Sequence, residues 1–316
     1  MGAWVAAVDG GGTKTAAALA DPGGEVLILP LAAGCNPQDG PGWDAVLREV
    51  LGGVRGAPSG VAAAVLGLPG HGEVPAHDAE VLALVRELLP CPFETLNDVI
   101  LAHLGAFGGR EGVLVLSGTG SMAVARGPGG FARVGGWGDV LGDEGSAAWI
   151  GREALALAAR ALDGRVPEAQ GFAEALIGRL GPGAVGDFAP LTWLMAQPGT
   201  PRAAVASVAR EVDALAREGW AEARGLLRGA AGELVLSARA AAGQVRLEAG
   251  FSWVPAGGSF RSDVLREEVA AALARGPDAP RLTVLAGALM RAAEVAGWAP
   301  DGDWAARVDA RLRARA

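Results

Sequence analysis

Gly12-Thr13-Lys14-Thr15, followed after six intervening residues by Pro22-Gly23-Gly24, has a counterpart far downstream in the chain. Gly118-Thr119-Gly120-Ser121 and Pro128-Gly129-Gly130 repeat the same spacing at a constant offset of 106 positions (118 − 12). Each copy follows one apolar run and leads into another, a pattern typical of a strand, a glycine turn, a second strand and a tight turn. We therefore predict two similar half-molecules, each with a glycine-rich hairpin.

The two glycine turns are candidate phosphate sites. Glycines let backbone amides approach an anion closely and form a concave group of N–H donors. Only a short apolar run separates Lys14 from Pro22, which leaves no room for the helix of a dinucleotide or Walker-type site. Asp9 would repel phosphate unless a cation intervened, and we expect a Mg²⁺ ion there, held through water. A tight hairpin without a ligand is the alternative, and the matched second copy disfavours it.

Composition excludes several classes of protein. The chain has 316 residues, half of them apolar, which is enough for two domains. Its formal charge of −8 argues against a nucleic-acid partner. We find no apolar run long enough to span a bilayer and no basic leader, and we therefore expect no membrane association and a cytoplasmic location. Cys35 and Cys91 are too few for a zinc cluster, and we expect reduced thiols.

The order of the predicted elements indicates an α/β protein. In the first half we predict strands at about 4–8, 15–20, 25–30, 61–68 and 93–96, and helices at 43–51, 79–89 and 98–106. The second half repeats the three-strand meander from 113 to about 134 and then becomes largely helical from 146 to 242, with helices at 148–162, 172–180 and 201–241. An apolar run at 251–254, a helix to about 274, a strand at 281–284 and a closing helix at 287–296 follow. Gly105 to Gly109 is the expected hinge between the halves.

Asn97 and Asp98 lie where a predicted strand gives way to a helix. The carboxyl ends of strands form the ligand crevice of an α/β sheet, so an aspartate there can serve as a catalytic base. Taken alone, an aspartate at this position more often caps the helix. Beside two phosphate loops we favour the base, because transfer of a phosphoryl group to an alcohol needs an acceptor for the hydroxyl proton.

The run from Gly135 to Ser146 combines one aromatic ring, Trp137, with three carboxylates and is too rich in glycine for a helix. A flat ring beside carboxylates suits a sugar, whose hydroxyls need acceptors and whose C–H face needs an apolar surface. The alternative is a loop in which Trp137 plugs an interface and Asp143 caps the next helix. Asn36 suits a sugar hydroxyl or a turn before Pro37 equally well.

These segments together resemble a known family. The segments Asp9 to Thr15, Asn97-Asp98, Ser117 to Ser121 and Gly135 to Ile150 are similar to the N-acetylglucosamine kinases within the BadF/BadG/BcrA/BcrD ATPase family. The resemblance spans most of residues 3–152 and resumes at 257–296. The run that begins Gly135-Gly136-Trp137 is its most specific element.

The resemblance implies a duplicated RNase H-like fold of the actin/hexokinase type, with two lobes and a central cleft for ATP and sugar. It places a boundary between an N-terminal lobe, 1–109, and a C-terminal lobe, 110–285, with a helical insertion at about 146–242 and a helix at about 286–300 that packs back on the first lobe. It implies an ATP- and Mg²⁺-dependent sugar kinase, with N-acetylglucosamine phosphorylated at the 6-hydroxyl. Members are often dimers, which makes a homodimer a possible assembly.

The same resemblance assigns roles residue by residue. Asp98 matches the general base. The first phosphate loop comprises Gly11, Gly12, Thr13 and Lys14; the second comprises Gly118, Thr119, Gly120 and Ser121; the adenosine loop comprises Gly257, Gly258 and Ser259. The sugar region comprises Asn36, Asp98, Gly136, Trp137 and Asp143.

Two departures and two alternatives stay open. Met122 stands where the human-type N-acetylglucosamine kinases carry an Asn, which leaves the choice of amino sugar open, and the short segment after the adenosine loop leaves the adenine contacts open. One alternative is the ATPase activator of 2-hydroxyacyl-CoA dehydratases, whose paired cysteines hold an iron–sulfur cluster, but Cys35 and Cys91 do not lie beside the second loop. The other is a catalytically silent sugar-binding module.

Overall fold

A computed structural model describes residues 3–315 of the chain. These residues divide into two compact units, one formed by the residues up to Arg110 together with those from Ala279 onward, the other by Glu111–Asp278. Each unit contains one β-sheet with helices packed against it.

In the first unit a meander of strands is followed by alternating helices and strands, the order expected of an α/β chain. The strands are β1 (Trp4–Gly10), β2 (Lys14–Ala20), β3 (Val26–Ile28), β4 (Ala32–Ala33), β5 (Val61–Leu68), β6 (Phe93–Asn97), β7 (Gly112–Ser117), β8 (Ser121–Gly127), β9 (Gly130–Gly135) and β10 (Trp253–Ala256). The helices are α1 (Trp43–Arg55), α2 (Pro75–Leu88), α3 (Asp98–Phe107), α4 (Gly138–Leu141), α5 (Ala147–Leu162), α6 (Gln170–Leu180), α7 (Ala189–Met195), α8 (Pro201–Ser207), α9 (Ala209–Arg217), α10 (Ala221–Gln244), α11 (Asp263–Leu273), α12 (Val284–Val295) and α13 (Gly302–Arg313).

The sheet of the first unit has the order β3-β2-β1-β5-β6, with β4 also paired to β2. The meander strands β1 and β2 are antiparallel, whereas β1, β5 and β6 run parallel. The carboxyl ends of these three parallel strands meet at one edge, where Asp9 pairs with Gly67 and Leu68 pairs with Asn97. The register therefore brings Asp9 and the Asn97-Asp98 junction to the same edge of the sheet.

Both faces of this sheet are covered, which explains why β1 is apolar along nearly its whole length. Ala6 and Val8 pack on one face with buried residues of α1 and α2. Val5 and Ala7 pack on the other face with buried residues of α12 and α13. The hairpin turn and the start of α3 are thus supported by a core on either side.

The sheet of the second unit has the order β10-β7-β8-β9, with the β7-β8-β9 meander antiparallel and β10 parallel to β7. Its core joins the meander to the long helix α10 and to α5, α6, α9 and α11. Trp253 is fully buried and its indole N–H donates to the carbonyl of Arg275 at 2.9 Å. The second glycine turn, between β7 and β8, is therefore built on a covered sheet like the first.

Several element predictions are wrong. The expected strand at 281–284 is absent from the described chain. The N–H groups of Arg281 and Leu282 instead donate to the carbonyls of Ala106 and Gly105, and Thr283 caps α12 through its hydroxyl. The closing helix is followed by α13, whose start is capped by Asp301. In segment 281–284 the capping side chain of Thr283 outweighs the β-type composition.

Two predictions for the second unit also need correction. The glycine-rich run after β9 holds one helical turn, α4, although we expected none. The helical stretch 201–241 is three helices, α8 to α10, interrupted at Val208 and again at Gly219-Trp220. Gly219 has a positive φ of 100°, which ends α9. Between residues 3 and 315, we find no helix that combines the length and apolar character needed to cross a bilayer.

Candidate active site

The first glycine turn is closed by backbone hydrogen bonds and leaves its tip exposed. The N–H of Gly11 donates to the carbonyl of Lys14 at 2.9 Å, and the N–H of Cys35 donates to the carbonyl of Gly11 at 3.1 Å. Gly34 packs so closely on this turn that an added Cβ would lie 2.1 Å from the carbonyl oxygen of Gly12. Residues 12–14 are exposed, so the turn is rigidly held while its tip faces solvent.

Asp9 lies at the end of β1, directly before this turn. Burial and, to a smaller extent, the negative charge of Asp98 raise the pKa of Asp9 from 3.8 to about 6, and the positive charge of Lys14 opposes the shift. A carboxylate that is partly removed from water beside a second carboxylate favours a bound cation. Mg²⁺ is commonly held by only one or two carboxylates and keeps several water molecules. Asp9 therefore fits a water-mediated magnesium site.

Asp98 is the first residue of α3, at the same sheet edge as Asp9. The interpretation of Asp98 as the helix cap is wrong, because Asn97 is the N-cap and its side-chain oxygen accepts from the N–H of Val99 at 3.1 Å. The side-chain amide of Asn97 donates to the carbonyl of His71 at 3.2 Å, which fixes the junction. The carboxylate of Asp98 also accepts from the N–H of Val99 at 2.9 Å.

Asn36 forms a turn in the structure. Its side-chain oxygen accepts from the N–H of Gln38 at 3.1 Å and caps the 3₁₀ turn Pro37–Asp39. The turn-forming interpretation is thus observed. A contact of Asn36 with a sugar hydroxyl stays a prediction.

The second glycine turn is bound to the segment before α5. The N–H of Gly118 donates to the carbonyl of Gly120 across the turn, and the carbonyl of Gly118 accepts from the N–H of Ala147, both at 2.8 Å. The hydroxyls of Ser117 and Ser121 donate to the carbonyls of Gly145 at 2.8 Å and Glu144 at 2.6 Å. Both serine side chains are therefore occupied in holding the loop in position.

Asp143 is a buried carboxylate whose two oxygens are both hydrogen-bonded. One accepts from the N–H of Ser121 at 3.2 Å, and the other pairs with a guanidinium nitrogen of Arg202 at 2.5 Å. Asp143 adopts a positive φ of 59°, unusual for a residue with a side chain. It does not cap α5, since Ser146 does. Asp143 links the sugar-region loop to the second phosphate loop.

Trp137 is exposed: its relative exposure is 73%, and Val140 and Leu141 on the adjacent turn of α4 are exposed as well. The carbonyl of the preceding Gly136 accepts from the guanidinium of Arg133 at 3.0 Å. An exposed indole beside a fixed loop offers the flat apolar face that suits the C–H side of a sugar ring.

The predicted adenosine loop begins at Gly257, where an added Cβ would lie 2.3 Å from the carbonyl oxygen of Ser117. Its φ of 92° also requires glycine. This close approach places Gly258 and Ser259 on the wall of the same cavity as Gly118 and Thr119. The cavity has a volume of about 620 Å³, within the range of small-molecule sites.

Most of the remaining wall comes from the helical segment, to which we assigned no role. The apolar wall residues share short or branched side chains, and the polar ones project from α8, α9 and the start of α11; the set comprises Ala147, Ile150, Ala203, Ala206, Ser207, Ala209, Arg210, Asp213, Leu227, Arg261, Ser262 and Leu265. Arg202, the partner of Asp143, was also missed. Nothing in an Ala/Arg-rich helical pattern distinguishes such residues from ordinary surface positions.

The comparisons with known proteins agree with this geometry. The pattern of the BadF/BadG/BcrA/BcrD ATPase family matches residues 7–298. A proposed N-acetylglucosamine kinase from Chromobacterium violaceum is 28% identical, with a TM-score of 0.68 over 92% of this chain and 98% of that one. A second proposed N-acetylglucosamine kinase, from Porphyromonas gingivalis, is 21% identical, with a TM-score of 0.61 over 86% and 93% of the two chains.

One curated relative also matches. An N-acetylmuramic acid/N-acetylglucosamine kinase from Clostridium acetobutylicum is 45% identical over 71 residues. The matched stretch spans 22% of this chain and 23% of that relative.

The fold is the mixed α/β fold of the actin/hexokinase type, as the sequence predicts, and it is shared with sugar kinases. The chain belongs to the BadF/BadG/BcrA/BcrD ATPase family.

Proposed function

We propose that the protein is an ATP-dependent carbohydrate kinase that phosphorylates an amino sugar. The observation that carries the proposal is the cavity of about 620 Å³ whose wall includes both the second glycine turn and the adenosine loop. A nucleotide needs phosphate-binding amides beside an apolar pocket for its base, and this cavity has both. The family and the named relatives support the same activity.

The proposed acceptor is N-acetylglucosamine, phosphorylated at its 6-hydroxyl. The exposed face of Trp137 and the loop fixed by Asp143 are the proposed sugar contacts, together with Gly136 and Asn36. The names of the relatives support an N-acetylated amino sugar, and that of the curated one adds N-acetylmuramic acid to the acceptors worth testing. Met122, beside the second turn, offers the sugar an apolar contact where an amide would hydrogen-bond.

Asp98 is the proposed general base. Its place at the carboxyl edge of a parallel sheet, on a helix start fixed by Asn97, suits a group that must receive a proton from one defined hydroxyl. The two glycine turns would bind phosphate through backbone N–H groups, and Lys14 would add a positive charge at the first turn. In this scheme the hydroxyl oxygen of the sugar attacks the γ-phosphorus, its proton goes to Asp98, and the bond from the γ-phosphorus to the bridging oxygen breaks to release ADP.

Mg²⁺ is the proposed metal, and the carboxylate of Asp9 would contact it through a bound water molecule. When bound, it would neutralise charge on the phosphate oxygens. Asp9 must give up its proton to hold the ion, and its raised pKa sets the pH range in which it does so.

The test is release of ADP with ATP and Mg²⁺ present, measured with and without sugar. A panel of N-acetylglucosamine, N-acetylmuramic acid, glucosamine, glucose and N-acetylmannosamine would identify the acceptor. Release that requires an N-acetylated amino sugar supports the proposal. Hydrolysis that ignores every sugar would favour an ATPase, and absence of turnover with all of them would favour a binding module.

A further inference from the structure

Two residues that line the cavity assigned to the nucleotide each carry a buried polar side-chain atom without a hydrogen-bond partner. Among the described residues 3–315, the Oδ1 atom of Asp213 and the Oγ atom of Ser259 are buried without a hydrogen bond. Both residues line this cavity. A buried polar atom without a partner is costly, and native proteins rarely keep one unless a ligand or water supplies the bond.

Asp213 is positioned to present one defined oxygen. Its other oxygen, Oδ2, accepts from Arg217 one helical turn later at 2.8 Å, and the carboxylate side chain is only 19% exposed. This ion pair within α9 fixes the carboxylate and leaves Oδ1 as an acceptor. A carboxylate oxygen accepts hydrogen bonds and, when ionised, cannot donate one.

The surroundings of Asp213 suit a base better than a phosphate or a sugar. Leu227, Leu265 and Ile150 contribute apolar surface to the same cavity. Flat aromatic rings bind between such walls, with a few polar groups at their edges for specificity. Adenine carries an amino donor at its 6-position, whereas guanine and hypoxanthine carry an oxo acceptor there and a donor only at the neighbouring N1. A carboxylate that faces the 6-position therefore attracts adenine and repels the other two bases.

We propose that Asp213, on the helical segment that lies between β9 and β10 in the chain, selects adenine nucleotides by accepting a hydrogen bond from the 6-amino group. This inference rests on the proposed function for the identity of the cavity. It gives the helical segment a role in nucleotide choice. The adenine contact then comes from Asp213 on α9, and not from the short segment that follows the adenosine loop.

The test measures nucleotide binding by calorimetry on the full chain, with Mg²⁺ present and no sugar, so that the result does not depend on turnover. The ligands are ATP, inosine triphosphate and 2′-deoxy-ATP. The variants are Asp213→Asn, which preserves shape and can donate through its amide, and Glu211→Gln as a matched control on the same helix, outside the cavity wall.

We expect the wild-type protein to bind ATP about 10- to 100-fold more tightly than inosine triphosphate, the usual effect of one hydrogen bond to a charged group. Asp213→Asn should reduce that preference at least about tenfold and should bind inosine triphosphate more tightly than the wild type does, since the amide can donate to the 6-oxo group. Such a gain cannot come from a damaged fold. Glu211→Gln should leave all three affinities unchanged.

Two results would overturn the inference. One is an unchanged preference for ATP over inosine triphosphate in Asp213→Asn. The other is a change confined to ATP against 2′-deoxy-ATP, which would assign Asp213 to the ribose. If the wild-type protein binds no nucleotide at all, the cavity assignment fails with it, whereas binding without sugar phosphorylation would refute the kinase proposal and leave this inference standing.

Discussion

Arg202 and Asp143 form an ion pair, with 2.5 Å between the guanidinium Nη2 and the carboxylate Oδ2, directly over Gly120 of the second glycine turn. An added Cβ on Gly120 would lie 2.8 Å from that nitrogen and 2.7 Å from the other carboxylate oxygen. Helix α8 thereby contacts a loop that lies about 60 residues earlier in the chain. The pair connects the proposed phosphate and sugar regions of the second unit.

Replacing Arg202 should disturb both regions. Arg202→Met leaves the buried carboxylate of Asp143 with only the N–H of Ser121, and we expect a loss of about 1–3 kcal/mol of unfolding free energy, at the lower end of values for broken buried pairs because Arg202 is partly exposed. Urea denaturation measures this loss of unfolding free energy. Arg165→Met, which breaks an exposed pair with Asp163, is the control and should leave the denaturation midpoint nearly unchanged. Equal losses in the two variants would show that the Arg202 pair has no special role.

Asp98→Asn should remove the proposed base while leaving the helix start intact, because Asn97 supplies the cap. We expect turnover to fall by about 10²- to 10⁴-fold, the usual contribution of a positioned base, with little change in nucleotide affinity. Steady-state kinetics and calorimetry separate the two effects. Glu49→Gln, an exposed change on α1, is the control. Full turnover in Asp98→Asn would refute the assignment of the base.

The ionised carboxylate of Asp9 should lower the free energy of unfolding at neutral pH. Its pKa is about 6 in the folded protein against an ordinary value of 3.8, so the folded state holds the proton more tightly, and stability is lost as the pH rises from about 4 to about 6. Asp9→Asn should therefore be more stable than the wild type at pH 8, by up to about 3 kcal/mol, and similar to it at pH 4. Denaturation curves at both pH values test this. A variant that is destabilised equally at both would contradict the shift.

Trp137→Ala should weaken sugar binding without weakening the fold. Because the indole is 73% exposed, its removal should change the unfolding free energy by less than about 0.5 kcal/mol. The KM for the sugar should rise about tenfold if one stacking contact is lost, with the KM for ATP unchanged. Trp253→Ala, at a fully buried site, is the contrast and should cost about 3–5 kcal/mol. An unchanged sugar KM would remove Trp137 from the proposed site.

The structural features that depend on short-range sequence patterns could be predicted from the sequence. The paired glycine turns, the meanders and the strand-to-helix junction at Asn97 follow from spacing and alternation, and each lies where the pattern predicts. Asp98 could not be separated from Asn97 as the helix cap, because both residue types cap helices well.

Contacts between distant segments could not be predicted in this way. Arg202 contacts Asp143 across 59 positions, and Asp213 shares a cavity with Ser259 only because α9 packs beside α11. In the sequence, Arg202 and Asp213 lie in an Ala/Arg-rich helical pattern that resembles an ordinary solvent-facing surface. The strand predicted at 281–284 is absent for a related reason. The backbone there hydrogen-bonds to carbonyls at the end of α3, and Thr283 caps α12.

In the proposed reaction the γ-phosphoryl group of ATP passes to a sugar hydroxyl. Phosphorus NMR of ATP, Mg²⁺ and the protein, with and without N-acetylglucosamine, follows that group directly. We predict a sugar phosphate monoester, formed in step with ADP and bonded at the 6-position, and almost no inorganic phosphate when the sugar is present. Inorganic phosphate as the main product, at the same rate with and without sugar, would contradict the account.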